Sequence, residues 1–195
     1  MIPLYLLTPV SRPENLSRIE TSIGEVLAPF LHEWFIVRDD GTFPVPGKSR
    51  FPDIDGYCHY GKPILNKMLD CLQENQLSGM VGFLDDDTIV PESFADAYTE
   101  FLKHYPAKKA FTVQQVNKGG TTRLDVITAR RRAIDQGSYF IHTDLIGSHR
   151  FYSVPGGCPR RYYRADREFY HEVRGATAEL WVDLPIVGSI YNALR

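Results

Sequence analysis

The sequence predicts an α/β fold with a mostly parallel central sheet and helices on both of its faces. Three observations lead there. Short apolar runs alternate with helical stripes through the first half of the chain, the pattern of parallel strands joined by crossover helices. Met80 to Leu84 is apolar throughout, as a strand covered on both faces must be. That strand runs straight into Asp85-Asp86-Asp87, and in open α/β sheets ligands bind beyond the carboxyl ends of the strands.

The elements follow in order. Ile2 to Leu7 reads as a strand, and Thr8 to Pro13 as turn chemistry. Leu16, Ile19, Ile23, Val26 and Leu27 recur at helical spacing. Trp34 to Val37 is a second strand closed by Asp39-Asp40-Gly41, and Gly41 to Gly56, with Pro44, Pro46 and Pro52, reads as a long irregular loop. Ile64, Met68, Leu69 and Leu72 mark a second helix. Pro91-Glu92-Ser93 opens a third, which carries Phe94, Ala97, Tyr98 and Phe101. Ala110 to Val116 is rich in β-branched and aromatic residues and reads as a strand before the turn Asn117-Lys118-Gly119-Gly120. Further on, Tyr139 to His142 reads as a short strand and Arg164 to Arg174 as a helix. Trp181 to Val187 contains a proline and is predicted to be an edge segment at best. The whole is predicted as one domain over 1–195, with a half-domain boundary between 1–116 and 117–195.

Composition narrows the function classes. The chain has 195 residues, 43% hydrophobic and 24% charged, which suits a globular core rather than disorder. Its 22 basic and 24 acidic residues leave a net charge of −2, so no basic footprint for nucleic acid exists. Two local clusters are basic, Arg130 to Arg132 and Arg160, Arg161, Arg164 and Arg167. Both suit a solvated face or phosphate contacts. Cys58, Cys71 and Cys158 form no C-x-x-C pair, so neither zinc nor a disulfide framework is signalled. No run of about 20 apolar residues marks a transmembrane segment. A reducing, cytoplasmic setting is expected.

The acidic run carries the chemistry. Three adjacent carboxylates repel one another in a partly dry site, and a hard divalent cation such as Mg2+ or Mn2+ removes that cost. Such a cation, bridging phosphate oxygens, supplies Lewis-acid stabilisation to a departing diphosphate. The plainer reading is an exposed acidic cap for the next helix, since aspartates favour helix N-termini.

Four segments together resemble GT-A-fold glycosyltransferases, similar to glycosyltransferase family 2 and the glucuronyltransferase-like enzymes. Tyr5 to Arg12 resembles the opening strand and nucleotide loop. Leu31 to Asp40 resembles the second strand, and Gly82 to Asp87 the D-x-D motif. Arg164 to Phe169 resembles the late acidic motif that supplies a catalytic base. The resemblance implies a GT-A-like (Rossmann-like) sheet with a small acceptor-side half. It implies that Thr8, Pro9, Val10 and Arg12 line the nucleotide and that Asp39 or Asp40 accepts a hydrogen bond from the base. Asp86 would meet ribose or metal, and Asp87, with Asp85, the metal, Mn2+ or Mg2+. Asp39 and Asp40 equally suit a plain turn before Gly41. Lys62 suits a phosphate contact or a surface position.

Inverting transfer needs a carboxylate to deprotonate the acceptor hydroxyl, and Asp166 and Glu168 are the candidates, Asp166 ahead. The donor expected is a nucleotide-diphosphate sugar, in particular a UDP-sugar. The acceptor is a glycan, a lipid-linked molecule or a protein. A short chain leaves a small acceptor half, so a partner subunit or a homo-oligomer would complete it. His142 and His171 read as structural. Two rivals remain: a nucleotidyltransferase on a related sheet, disfavoured because Thr8 to Pro13 lacks a glycine-rich phosphate loop, and an inactive sugar-nucleotide-binding module.

Overall fold

A computed structural model describes residues 2–38, 61–124, 134–153 and 164–194. Asp39, Asp40, the Gly41 to Gly56 loop, Cys58, Arg130 to Arg132, Cys158, Arg160, Arg161, Tyr162 and Tyr163 lie outside the described residues.

The strands are β1 (Leu4–Val10), β2 (Leu31–Arg38), β3 (Met80–Phe83), β4 (Ala110–Asn117), β5 (Thr122–Leu124), β6 (Tyr139–His142) and β7 (Trp181–Tyr191). The α-helices are α1 (Leu16–Leu27), α2 (Lys62–Glu74), α3 (Ser93–His104), α4 (Thr143–Ile146) and α5 (Ala165–Ala176). All seven strands join one sheet in the order β2-β1-β3-β6-β4-β5, with β7 on β4. The pairs β1–β2, β1–β3 and β4–β7 are parallel, and β6 runs antiparallel to both β3 and β4, as β5 does to β4. Among the described residues five strands therefore point one way and β5 and β6 the other. The sheet is mixed and mostly parallel, as expected.

Period-two alternation divides the core between the two faces. On one face Tyr5 and Leu7 of β1, Phe35 and Val37 of β2 and Val81 and Phe83 of β3 pack with Ile64, Met68 and Leu72 of α2 and Phe169 and Val173 of α5. On the other, Leu4, Leu6, Met80 and Phe111 pack with Ile19 and Ile23 of α1 and Phe94, Tyr98 and Phe101 of α3. Each predicted helical stripe is thus the buried side of its helix.

Two segments differ from expectation. Thr8, Pro9 and Val10, expected in a turn, belong to β1, paired with Ile36, Val37 and Arg38. The β3 ladder ends at Leu7–Phe83, so past Leu7 β1 is unpaired on that side and a proline is tolerated. Trp181 to Val187, expected as an edge segment at best, opens an 11-residue strand. Its Pro185 falls where the register jumps from Leu184–Val113 to Val187–Gln114, a bulge that spares the missing N–H.

Candidate active site

Past the carboxyl end of β1 the chain turns back toward the acidic run. Asp86, 3% exposed, is the anchor. Its Oδ2 accepts the Ser11 backbone N–H at 2.7 Å, the Ser11 hydroxyl at 2.9 Å and the Arg12 backbone N–H at 2.7 Å. Its Oδ1 accepts Arg12 Nε at 2.9 Å and Arg12 Nη2. Asn15 Nδ2 holds the Asp86 carbonyl at 2.9 Å. Burial alone would raise the Asp86 pKa, but these hydrogen bonds from Arg12 and Ser11 outweigh it and hold the carboxyl below its usual range. Arg12 extends its remaining arm, Nη1, to Asp87 Oδ2 at 2.9 Å. Burial opposes the guanidinium charge, yet Asp86 and Asp87 raise its pKa.

Asp87 is buried at the turn, and its carbonyl accepts the Leu194 N–H at 3.2 Å. Ile89 and Ile190 exchange backbone bonds at 3.2 and 3.0 Å. The far end of β7 therefore closes over the acidic turn.

The other candidates of the first strand sit just behind. Thr8 is fully buried, and its hydroxyl accepts Trp34 Nε1 at 2.9 Å. Val10 is 1% exposed. Pro9 meets Gly61, where a Cβ would stand 2.6 Å from the proline ring. Gly61 also has φ +69°, a conformation that favours glycine. This close, left-handed approach starts α2 beside the end of β1 and delivers Lys62 to the site.

Lys62 is buried, with Nζ 2.5 Å from Asp166 Oδ1 and 2.6 Å from Gln136 Oε1. Its ammonium also lies 5.4 Å from the centre of the Phe151 ring. Gln136 turns its amide nitrogen to Asp85 Oδ1. A continuous chain of contacts thus runs Asp85–Gln136–Lys62–Asp166. It exists because β6 is antiparallel: the residues before β6 arrive at the same edge as the residues after β3. Glu168 follows Asp166 by two positions on α5, about 200° round the helix, so Asp166 carries the ion pair with Lys62.

Charge is crowded here. Burial raises the Asp85 pKa well above normal, with Asp135, Asp166 and Asp87 adding to it against Lys62. Burial and Asp135 likewise raise Asp166, against the pull of Lys62. Burial lowers the charge preference of Lys62, but Asp166 and Asp85 more than restore it, and its pKa is raised. Asp135 itself pairs with Arg123 at 3.0 Å, and Arg123 stacks on Tyr191 at 3.2 Å. The Tyr139 hydroxyl is buried beside these groups and finds no hydrogen-bond partner among the described residues.

Among the described residues no three acidic, histidine or cysteine side chains converge as a self-sufficient metal cage. Asp85 and Asp87 are the carboxylates that could hold a hard cation, one that would complete its shell with phosphate oxygens. The acidic crowding that raises Asp85 is the feature such a cation would relieve.

Sequence reasoning missed Ser11, Asn15, Arg123, Asp135, Gln136 and Tyr191 as site residues. Ser11 stood inside the Tyr5 to Arg12 stretch, and the rest are single polar residues without a motif. His142 lies at the opposite end of the strands, paired with Met80, where its Nδ1 accepts the Asp144 N–H at 3.3 Å and caps α4.

No protein-family model matches the chain, and no curated protein sequence does. Solved structures do. Staphylococcus aureus TarS matches with a TM-score of 0.64 and 13% identity, over 97% of this chain and 36% of that one. Glucosyl-3-phosphoglycerate synthase from Mycobacterium tuberculosis, solved with Mn2+, UDP-glucose and phosphoglyceric acid, matches with a TM-score of 0.59 and 15% identity. That match covers 97% of this chain and 72% of the synthase. The chain thus spans about a third of TarS. At such identities the likeness concerns architecture, and the architecture of this chain is the GT-A fold of glycosyltransferases.

Proposed function

We propose that this protein is a metal-dependent glycosyltransferase that moves a sugar from a UDP-sugar to an acceptor hydroxyl with inversion. The observation that carries the reading is the contact chain Asp85–Gln136–Lys62–Asp166. It ties the carboxylate beside the acidic turn to a carboxylate from the far end of the sequence, as donor and acceptor halves of one site require. The GT-A architecture, shared with a synthase solved with UDP-glucose and Mn2+, supports it.

In this reading Thr8, Pro9, Val10, Arg12 and Lys62 line the donor pocket, and Asp39 or Asp40 meets the base. Asp86 fixes Arg12 and the loop. Asp85 and Asp87 would hold Mn2+ or Mg2+, which supplies charge stabilisation to the diphosphate. Asp166, with its raised proton affinity, takes the acceptor hydroxyl proton as that oxygen bonds to the anomeric carbon. The bond from that carbon to the diphosphate breaks, and UDP leaves with the electron pair. A base with a pKa raised toward the working pH suits this role. The acceptor is a glycan, a lipid-linked molecule or a protein. Among the described residues no helix is long and apolar enough to cross a membrane, and we place the reaction in the cytoplasm.

The test is a thermal-shift panel of UDP, GDP and ADP with and without Mn2+. A ligand at a hundred times its Kd adds about 2.7 kcal/mol of stability. UDP with Mn2+ is expected to raise Tm, and Asp87→Ala to abolish the metal-dependent part. If no nucleotide shifts Tm in a metal-dependent way, the reading fails.

A further inference from the structure

A lysine is costly to bury and needs partners. Lys62 is 3% exposed, and its ammonium is engaged by Asp166 at 2.5 Å, Gln136 at 2.6 Å and the Phe151 ring. We propose that Lys62 is a positioning residue for the transfer, the buried counter-charge that keeps Asp166 ionised and aimed, while Gln136 yokes the pair to Asp85. This deepens the glycosyltransferase reading and rests on it for the role of Asp166.

The surroundings of Asp166 make the counter-charge necessary. Asp135 comes from the turn before β6, Asp85 from beyond β3 and the Tyr139 phenol from β6. The two carboxylates disfavour a further negative charge. Among the described residues two cations act on Asp166, Lys62 from α2 and Arg123 from β5. Arg123 is already committed to Asp135 at 3.0 Å and to the Gln115 side-chain oxygen at 3.0 Å. Among the described residues Lys62 is the cation in contact with Asp166. Without it the carboxyl would keep its proton into the working pH range and could not accept one from the acceptor.

Gln136 gives the arrangement a direction. Its amide oxygen takes the lysine and its amide nitrogen takes Asp85. A displacement of Asp85 would thereby reach the Lys62–Asp166 pair. Two side chains, Gln136 and Lys62, thus link the donor carboxylate to the base.

The full chain, labelled with carbon-13 at aspartate side-chain carboxyls, tests the proposal without donor or acceptor. The Asp166 signal is assigned by its loss in Asp166→Asn and followed through pH in wild type, Lys62→Met and Lys62→Arg. The midpoint is expected to rise by about one unit or more in Lys62→Met, a tenfold gain in proton affinity, and to return toward wild type in Lys62→Arg. The acid limb of the kcat/KM profile is expected to move with the midpoint, and the Kd for UDP with Mn2+, taken by calorimetry, separates lost donor binding from the lost counter-charge. An unchanged midpoint overturns the proposal, and a tenfold loss of UDP affinity with it would make Lys62 a phosphate ligand instead. If Lys62→Met does not fold, Lys62→Met/Asp166→Asn decides: it is expected to fold because no unpaired buried charge remains, and its failure overturns the pairing. Wild type that binds no nucleotide sinks the glycosyltransferase reading alone, since the carboxyl titration stands without it.

Discussion

Arg12 and Asp86 hold each other through three contacts, the Arg12 backbone N–H, its Nε and its Nη2, all on the two oxygens of one buried carboxylate. The same guanidinium reaches Asp87. One arginine therefore fixes the geometry of two consecutive acids, and the loop after β1 is clamped to the loop after β3.

Arg12→Ala is expected to cost about 2 kcal/mol at pH 7, the range for hydrogen bonds to a charged partner. The sign of its pH dependence follows from Asp86. Its folded pKa is depressed, so its stabilisation is present above the unfolded value of about 3.9 and is lost as pH falls through the folded one. The gap between wild type and Arg12→Ala should therefore narrow below about pH 4. Urea denaturation at pH 7 and pH 3 measures it.

Asp85→Asn is expected to do the opposite. The Asp85 pKa is raised in the folded chain by burial and then by Asp135. The unfolded chain loses that proton near pH 3.9, so as pH rises further the folded state bears the cost of a confined charge. The variant should melt above wild type at pH 7 to 8 and converge with it near pH 4. In the proposed function the same substitution weakens the Mn2+-dependent response to UDP. Melts across pH, with and without UDP and Mn2+, check both halves.

Gly82→Ala tests how the acidic turn is supported. A Cβ there would lie 2.3 Å from Phe140 Cε1 and 2.9 Å from Leu6 Cδ2. Both are in the core, and Phe140 stacks on Phe111 at 4.9 Å. Overpacking of this kind costs about 1–3 kcal/mol. Because Gly82 is in the strand that delivers Asp85, UDP affinity should fall with stability. Phe140→Leu in the same background should recover part of both, read by urea denaturation and calorimetry.

How much of this was legible in the sequence depends on range. Helices α1, α2, α3 and α5 declared themselves because a buried stripe repeats every three to four residues, as at Ile64, Met68 and Leu72. The acidic run and the end of β1 were legible as a candidate site because strand ends collect ligands. The full length of β7 was hidden by Pro185, which only the bulge opposite Val113 and Gln114 makes acceptable. Gln136 was invisible as a bridge. Its partners Lys62 and Asp85 are 74 and 51 residues away, and no local pattern encodes which of the five glutamines will meet them. Lys62 stood out as a cation, but its pairing with Asp166 needed α2 and α5 on one face of the sheet.

The antiparallel setting of β6 has a consequence for transplanting the site. Arg12 reaches Asp86 across 74 residues, Lys62 reaches Gln136 across 74, and Gln115 reaches Ser189 across 74. No short peptide contains two neighbouring walls of the pocket. Each closure carries a loop entropy that only the completed sheet offsets. The triplet Asp85-Asp86-Asp87 grafted onto another scaffold would bring its repulsion and none of its counter-charges. What can be inherited or exchanged here is the interleaving of strands, and the acidic motif is legible chemistry only within it.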